Sequence, residues 1–143
     1  MGFELVDVEP GDPRLETDLL PVLRQLRPHL DAPTYAAVYE RGHRQGLRFL
    51  AAYDRGRCVG VAGWRLLHST HTLTKLYVDD LVTAQDARSG GVGHALLAEL
   101  ADRGRAAGCT VLDLDSGVQR HDAHRFYFRE RMHISGHHFQ REL

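Results

Sequence analysis

Lysine is almost missing from this chain: Lys75 stands alone among many arginines, a bias that reads as genomic composition rather than mechanism. Cysteine is scarce too. Cys58 and Cys109 lie far apart in apolar stretches, which excludes a disulfide framework and a CxxC metal site and points to buried thiols in a reducing compartment. No apolar run approaches the ~20 residues that span a bilayer, so no membrane partner is expected. Met1 to Leu5 lacks the basic and apolar regions of a signal peptide, and a cytoplasmic protein is expected. Net charge is only −1 with histidines neutral, no electrostatic footprint for nucleic acid. The histidines near the C-terminus (His121, His124, His133, His137 and His138) form no HExxH motif and no matched Cys/His set. They read as surface residues, and no metal is expected.

What is present is an ordinary globular composition, 43% hydrophobic and 26% charged over 143 residues, enough for one domain with its own core. No repeat, low-complexity tract or linker interrupts it, so a single domain over 1–143 is expected. Phe3 to Val8 reads as a strand closed by Pro10-Gly11-Asp12-Pro13. Leu15, Leu19, Leu20, Leu23 and Leu26 recur at helical spacing. Asp31 before Pro33 starts a second helix, with Gly42 or Gly46 as its stop; Tyr35 and Tyr39 share one face of it. Leu47 to Tyr53 and Cys58 to Leu66 form a hairpin about Asp54-Arg55-Gly56, and Leu73 to Thr83 is a further long strand. A helix carrying Val92, Leu96, Leu97 and Leu100 ends at Gly108. Thr110 to Leu114 is a short strand, Asp122 to Arg131 a helix, and Ile134 to Phe139 a final strand. That order implies a mixed sheet covered by helices, an α/β fold.

The most informative stretch is Arg88-Ser89-Gly90-Gly91-Val92-Gly93-His94, set between a strand and a helix. Glycines allow tight turns that aim successive N–H groups at one anion, and the helix start adds its dipole. Arg88 adds a charge-assisted contact. Together they suit a pyrophosphate. The spacing is neither a Walker loop nor GxGxxG, and three glycines before a helix are as compatible with a plain flexible turn.

This stretch resembles the acetyl-CoA signature of the GCN5-related N-acetyltransferase (GNAT) family, Arg/Gln-x-x-Gly-x-Gly/Ala, through Arg88, Gly91 and Gly93. Tyr77 to Thr83 resembles the family's fourth strand, and Ala123-His124-Arg125-Phe126-Tyr127 its A-x-x-F-Y helix. The resemblance spans roughly residues 3 to 139. It implies the order β-α-α-β-β-β-α-β-α-β with splayed central strands. It implies acetyl-CoA as co-substrate, its pantetheine pairing near Leu81, Val82 and Thr83, its pyrophosphate on residues 88–94 and its sulphur near Tyr127. His94 is expected to offer only its backbone N–H. The chain departs from the family at Arg120, where Asn is frequent, and at Arg131-Met132, where Gly-Phe is frequent.

Acetyl transfer to an amine needs a neutral amine, although such groups have a pKa near ~10.4 in water. Asp79 and Asp80 are the candidate proton acceptors. Strand alternation sends neighbours to opposite faces unless a bulge intervenes; Asp79 is the first choice and also a substrate-orienting acid. A backbone N–H near Leu81 or Val82 suits the thioester oxygen. Tyr127 is the candidate acid for the leaving thiolate, with a core aromatic as its plain alternative.

Leu76 to Leu81 is similar to strands of the spermidine/spermine and thialysine acetyltransferases, which implies a small cationic amine as acceptor. Tyr35, Tyr39 and Glu40 are placed at the acceptor pocket, and His68 and His71 are candidates for its mouth. The alternatives are a non-catalytic acetyl-CoA-binding sensor or partner module, a protein N-terminal or lysine acetyltransferase, transfer of a longer acyl group, and an unrelated phosphate-binding domain. A homodimer is expected by analogy with the family.

Overall fold

The computed structural model describes residues 2–143. It divides into two compact units, residues 2–113 and 114–143 among the described residues. The first opens with β1 (Glu4–Val8). A π-helical turn (Leu15–Leu19) then runs into α1 (Leu20–Leu23), and α2 (Ala32–Arg44), β2 (Arg48–Asp54), β3 (Arg57–Ser69) and β4 (Leu73–Thr83) follow. A 3-10 turn (Gln85–Ala87) leads to α3 (Val92–Ala106) and β5 (Val111–Leu114). The five strands form one sheet in the order β1-β2-β3-β4-β5, the first four joined by antiparallel pairings.

Local sequence accounts for the boundaries. Asp31 caps α2, its side chain accepting from the Thr34 N–H at 2.9 Å, with Pro33 in the first turn, where a missing N–H costs nothing. Gly46, at φ +96°, turns the chain out of α2, and the Leu47 N–H closes on the Gly42 carbonyl at 2.9 Å, a left-handed C-terminal stop. The leucines at helical spacing meet the core as expected: Leu15, Leu19, Leu20 and Leu23 are all buried.

Helices cover both faces of the sheet. On one, the α1 and α2 side chains pack on Val8, Phe49, Ala51, Tyr53, Val61 and Val82. Tyr35 and Tyr39 belong to this core at 2% and 1% exposure, edge-on to Phe49. The Tyr39 hydroxyl donates to the Val8 carbonyl at 2.6 Å, and burial pushes its pKa up to about 12. Tyr39→Phe leaves that carbonyl without its donor, so urea unfolding should report a loss of about 1–3 kcal/mol. On the other face α3 packs Leu96 and Leu100 towards β3 and β4. Gly60 is the contact point: a Cβ there would overlap the Val92 side chain and come within 3.1 Å of Leu96. The first turn of α3 is thereby pinned to the sheet.

The second unit holds α4 (His121–Arg129) and an irregular exposed tail. The expected final strand at Ile134–Phe139 is not formed: residues 132–143 take no strand conformation. The apolar residues explain why. Ile134 and Phe139 are five apart, so in a strand they would point to opposite faces, and Gly136 between them packs nothing. Both are exposed. Arg131 ends the α4 region at φ +64°, a left-handed position that favours glycine, which is where the family often has one.

Candidate active site

The glycine stretch adopts the backbone its composition requires. Beyond β4 the 3-10 turn closes with the Ala87 N–H on the Ala84 carbonyl at 2.8 Å. Arg88 is extended, Ser89 turns left-handed at φ +69°, and Gly91 does so again at φ +85° as the residue before α3. A Cβ on Gly90 would lie 3.2 Å from the Ala87 carbonyl oxygen. The first helical bond runs from the Ala95 N–H to the Gly91 carbonyl at 3.0 Å, so the Val92 and Gly93 amides precede the hydrogen-bonded ladder. Arg88, Ser89, Gly90, Gly91 and His94 are exposed and Val92 is buried as the anchor. These residues fit a pyrophosphate: a glycine turn leads into a helix start whose first amides lie outside the helical ladder, beside an exposed guanidinium.

β4 carries a bulge where the two aspartates stand. Gly63 pairs with Asp80, but Trp64 pairs with Val78, leaving Asp79 as the extra residue. A bulge interrupts the alternation of faces. Each carboxylate finds its own arginine. Arg65 grips Asp79 through Nε and Nη2, both at 3.0 Å. Arg27, just past α1, donates Nε to Asp80 Oδ1 at 2.8 Å and Nη2 to the Asp79 carbonyl at 3.1 Å. Asp80 therefore keeps Oδ2 for another partner, whereas both oxygens of Asp79 are taken. Gly63 makes room for that atom: a Cβ there would sit 3.0 Å from Asp80 Oδ2. Burial pushes the Asp80 carboxyl up, and Arg27 opposes it. Of the four carboxylate oxygens, only Asp80 Oδ2 is thus left without a hydrogen bond among the described residues.

Further along β4, Leu81 and Val82 are buried and Thr83 half-buried. The Ala84 N–H donates to Val59 on the β3 side at 2.8 Å. By strand alternation the amides of Leu81 and Thr83 face the edge away from β3. On that edge the chain entering β5 meets β4 at its beginning, where the Thr110 N–H donates to the Thr74 carbonyl at 3.0 Å and Lys75 pairs with Asp113 at 2.9 Å.

Tyr127 lies on α4 in the second unit, half-buried beside Phe126. Burial raises its pKa, while the charge of Arg120 and a hydrogen bond from it pull the other way. The arginine that stands where the family often has asparagine thus acts electrostatically on this phenol.

Other residues fall elsewhere. The Tyr35 hydroxyl is buried without a hydrogen-bond partner among the described residues; Glu40 is exposed and 3.8 Å from Arg44. His68 bonds Thr74 at 3.1 Å, and His71 is exposed at the β3–β4 turn. A separate open groove of about 840 Å³ is bordered by Asp18, Gln25, Arg57, Cys58 and Gln85. Burial pushes the Cys58 thiol up to about 11, so it is protonated at neutral pH and no nucleophile. Arg27 and Arg65 were missed from the sequence. The signal was there in Arg65: an arginine inside an apolar strand requires a counter-ion.

Comparison with known proteins identifies the family. The acetyltransferase (GNAT) family model matches residues 14–133. The chain is 36% identical over 108 residues to the uncharacterized N-acetyltransferase YhdJ of Bacillus subtilis (strain 168), covering 75% of this chain and 76% of that protein. It is 31% identical over 85 residues to the aminoalkylphosphonate N-acetyltransferase of Salmonella typhimurium, covering 59% of this chain and 55% of that protein. In fold it resembles AAC(6')-Iy in complex with a CoA-S-monomethyl-acetylneamine bisubstrate analog, with a TM-score of 0.85 at 16% identity over 100% of this chain and 99% of that one. The chain belongs to the acetyltransferase (GNAT) family and is an acetyl-CoA-dependent N-acetyltransferase.

Proposed function

We propose that the acetyl acceptor is the primary amine of a small molecule, that Asp80 takes the proton from that amine, and that Tyr127 protonates the departing thiolate. The observation that carries this reading is the free Oδ2 of Asp80 at the β4 bulge, a half-paired carboxylate whose affinity for a proton is raised by burial. Acetyl-CoA supplies the activated thioester. Residues 88–94 hold its pyrophosphate, and the edge-facing amide of Thr83 helps hold its pantetheine. An ammonium has no lone pair, so the amine loses a proton to Asp80, directly or through water, before it bonds to the acetyl carbon. The Leu81 N–H, which points outward from that edge, donates to the thioester oxygen as charge builds there. The carbon–sulphur bond breaks and the thiolate leaves with a proton from the Tyr127 hydroxyl; the phenolate then takes the second proton from the acylated nitrogen, leaving a neutral amide. Arg120 stabilises the tyrosinate formed between these two steps.

A relative supports the size of the acceptor: the Salmonella enzyme is named for an aminoalkylphosphonate. The polyamine-type acceptor suggested by two adjacent acids loses its electrostatic support, because each acid already has an arginine. Thiol release from acetyl-CoA with a panel of primary amines tests the proposal, using wild type and Tyr127→Phe. Wild type should release thiol only when an amine is present, and Tyr127→Phe should lower kcat by about 10²-fold with unchanged acetyl-CoA binding. Binding of acetyl-CoA without thiol release from wild type favours the sensor alternative. Activity confined to peptides overturns the small-molecule acceptor.

A further inference from the structure

The acid pair on β4 is matched charge for charge. Asp79 and Asp80 contribute two negative charges, and Arg65 and Arg27 two positive ones, so the cluster as a whole offers no net attraction to a polycation. Its unused valences are of both kinds. Asp80 Oδ2 is an anionic acceptor, and Arg27 commits Nε and Nη2 while its Nη1 makes no hydrogen bond among the described residues. Arg27 is also the open member of the cluster, with a side chain 43% exposed against 16% for Asp80. The two groups belong to one ion pair, so a ligand that uses both must carry a cation and an anion a short spacer apart.

Taking the acceptor reading above as its basis, we infer that the acceptor is amphoteric: a primary amine with a carboxylate or phosphonate a few bonds away, the ammonium meeting Asp80 Oδ2 and the anion meeting Arg27. Arg27 is then the residue that selects the acceptor. An anion on Nη1 adds a charge-assisted contact while Nε stays on Asp80, so the proton acceptor keeps its place during binding. A neutral alkylamine leaves Nη1 to water. A polyamine brings a second cation towards a guanidinium and is repelled.

The test compares kcat/KM for 2-aminoethylphosphonate, β-alanine, propylamine and spermidine. Wild type should favour at least one of the two anionic amines over propylamine by about tenfold or more, as expected for a hydrogen bond to a charged group, and should place spermidine last. The arms separate the anions: preference for the phosphonate alone assigns a tetrahedral anion, and preference for both assigns either. Arg27→Gln should collapse the ratio of anionic to neutral acceptor, and Arg27→Lys should restore part of it. Propylamine or spermidine equal to or above both anionic amines overturns the inference while leaving amine acetylation intact. No thiol release with any amine overturns the acceptor reading and the inference together.

Discussion

Asp80→Asn should slow turnover by about 10²- to 10⁴-fold, the range for removing a positioned acid or base, while acetyl-CoA binding stays within about twofold of wild type. The asparagine keeps an oxygen for Arg27 Nε but has no carboxylate to receive a proton, so the loss should fall on kcat. Asp79→Asn is the control. Both Asp79 oxygens are held by Arg65, so its replacement should appear as a lower unfolding temperature and a much smaller change in rate. A pH profile adds an independent readout. Asp80 must be ionised to act, and burial raises its pKa, so kcat should rise with pH along a limb displaced above the ordinary carboxylate range. Arg27→Gln removes the charge that opposes this shift and should move the limb to still higher pH; Asp80→Asn should abolish it. Equal losses in the two asparagine variants would refute the assignment of the base.

Gly91→Val should raise the dissociation constant for acetyl-CoA by about 10- to 100-fold. Gly91 sits at φ +85° immediately before α3, and a β-branched residue there carries a backbone strain of about 1–3 kcal/mol. The chain relieves it by turning the Val92 and Gly93 amides away from the shared anion. Nothing lies within 4 Å of a Cβ at this position, so the effect comes from the dihedral angle and not from a clash. Calorimetry against acetyl-CoA, with far-UV circular dichroism as the folding check, measures it. An unchanged dissociation constant in a folded variant would separate the glycine turn from cofactor binding.

The parts of the molecule set by local chemistry were legible in the sequence. The Asp31 cap with Pro33, the leucine spacing from Leu15 to Leu23, the bounds of β4 at Leu73 and Thr83, and the glycine turn at Gly91 each follow from the preferences of a few neighbouring residues. What was hidden depends on pairs far apart in the chain. Arg27 and Asp80 are 53 positions apart, and nothing near either one announces the other. The bulge at Asp79 is a property of the register between β3 and β4, so pattern reading admitted a bulge without being able to place it. Tyr35 and Tyr39 were placed at the acceptor pocket by the family resemblance, and they share one helix face. That face is the one turned to Phe49 and the core. The tail failed for the opposite reason: Ile134 and Phe139 are apolar enough for a strand but out of phase with each other.

Product analysis gives the most direct test of the chemistry. Wild-type protein is incubated with acetyl-CoA and 2-aminoethylphosphonate, and free thiol and N-acetylated product are quantified together by mass spectrometry. One-to-one formation of the two, absent in Asp80→Asn, is the result expected of amine attack assisted by a carboxylate on the bulged strand. Thiol appearing without acetylated amine, or at the same rate in the variant, would contradict it.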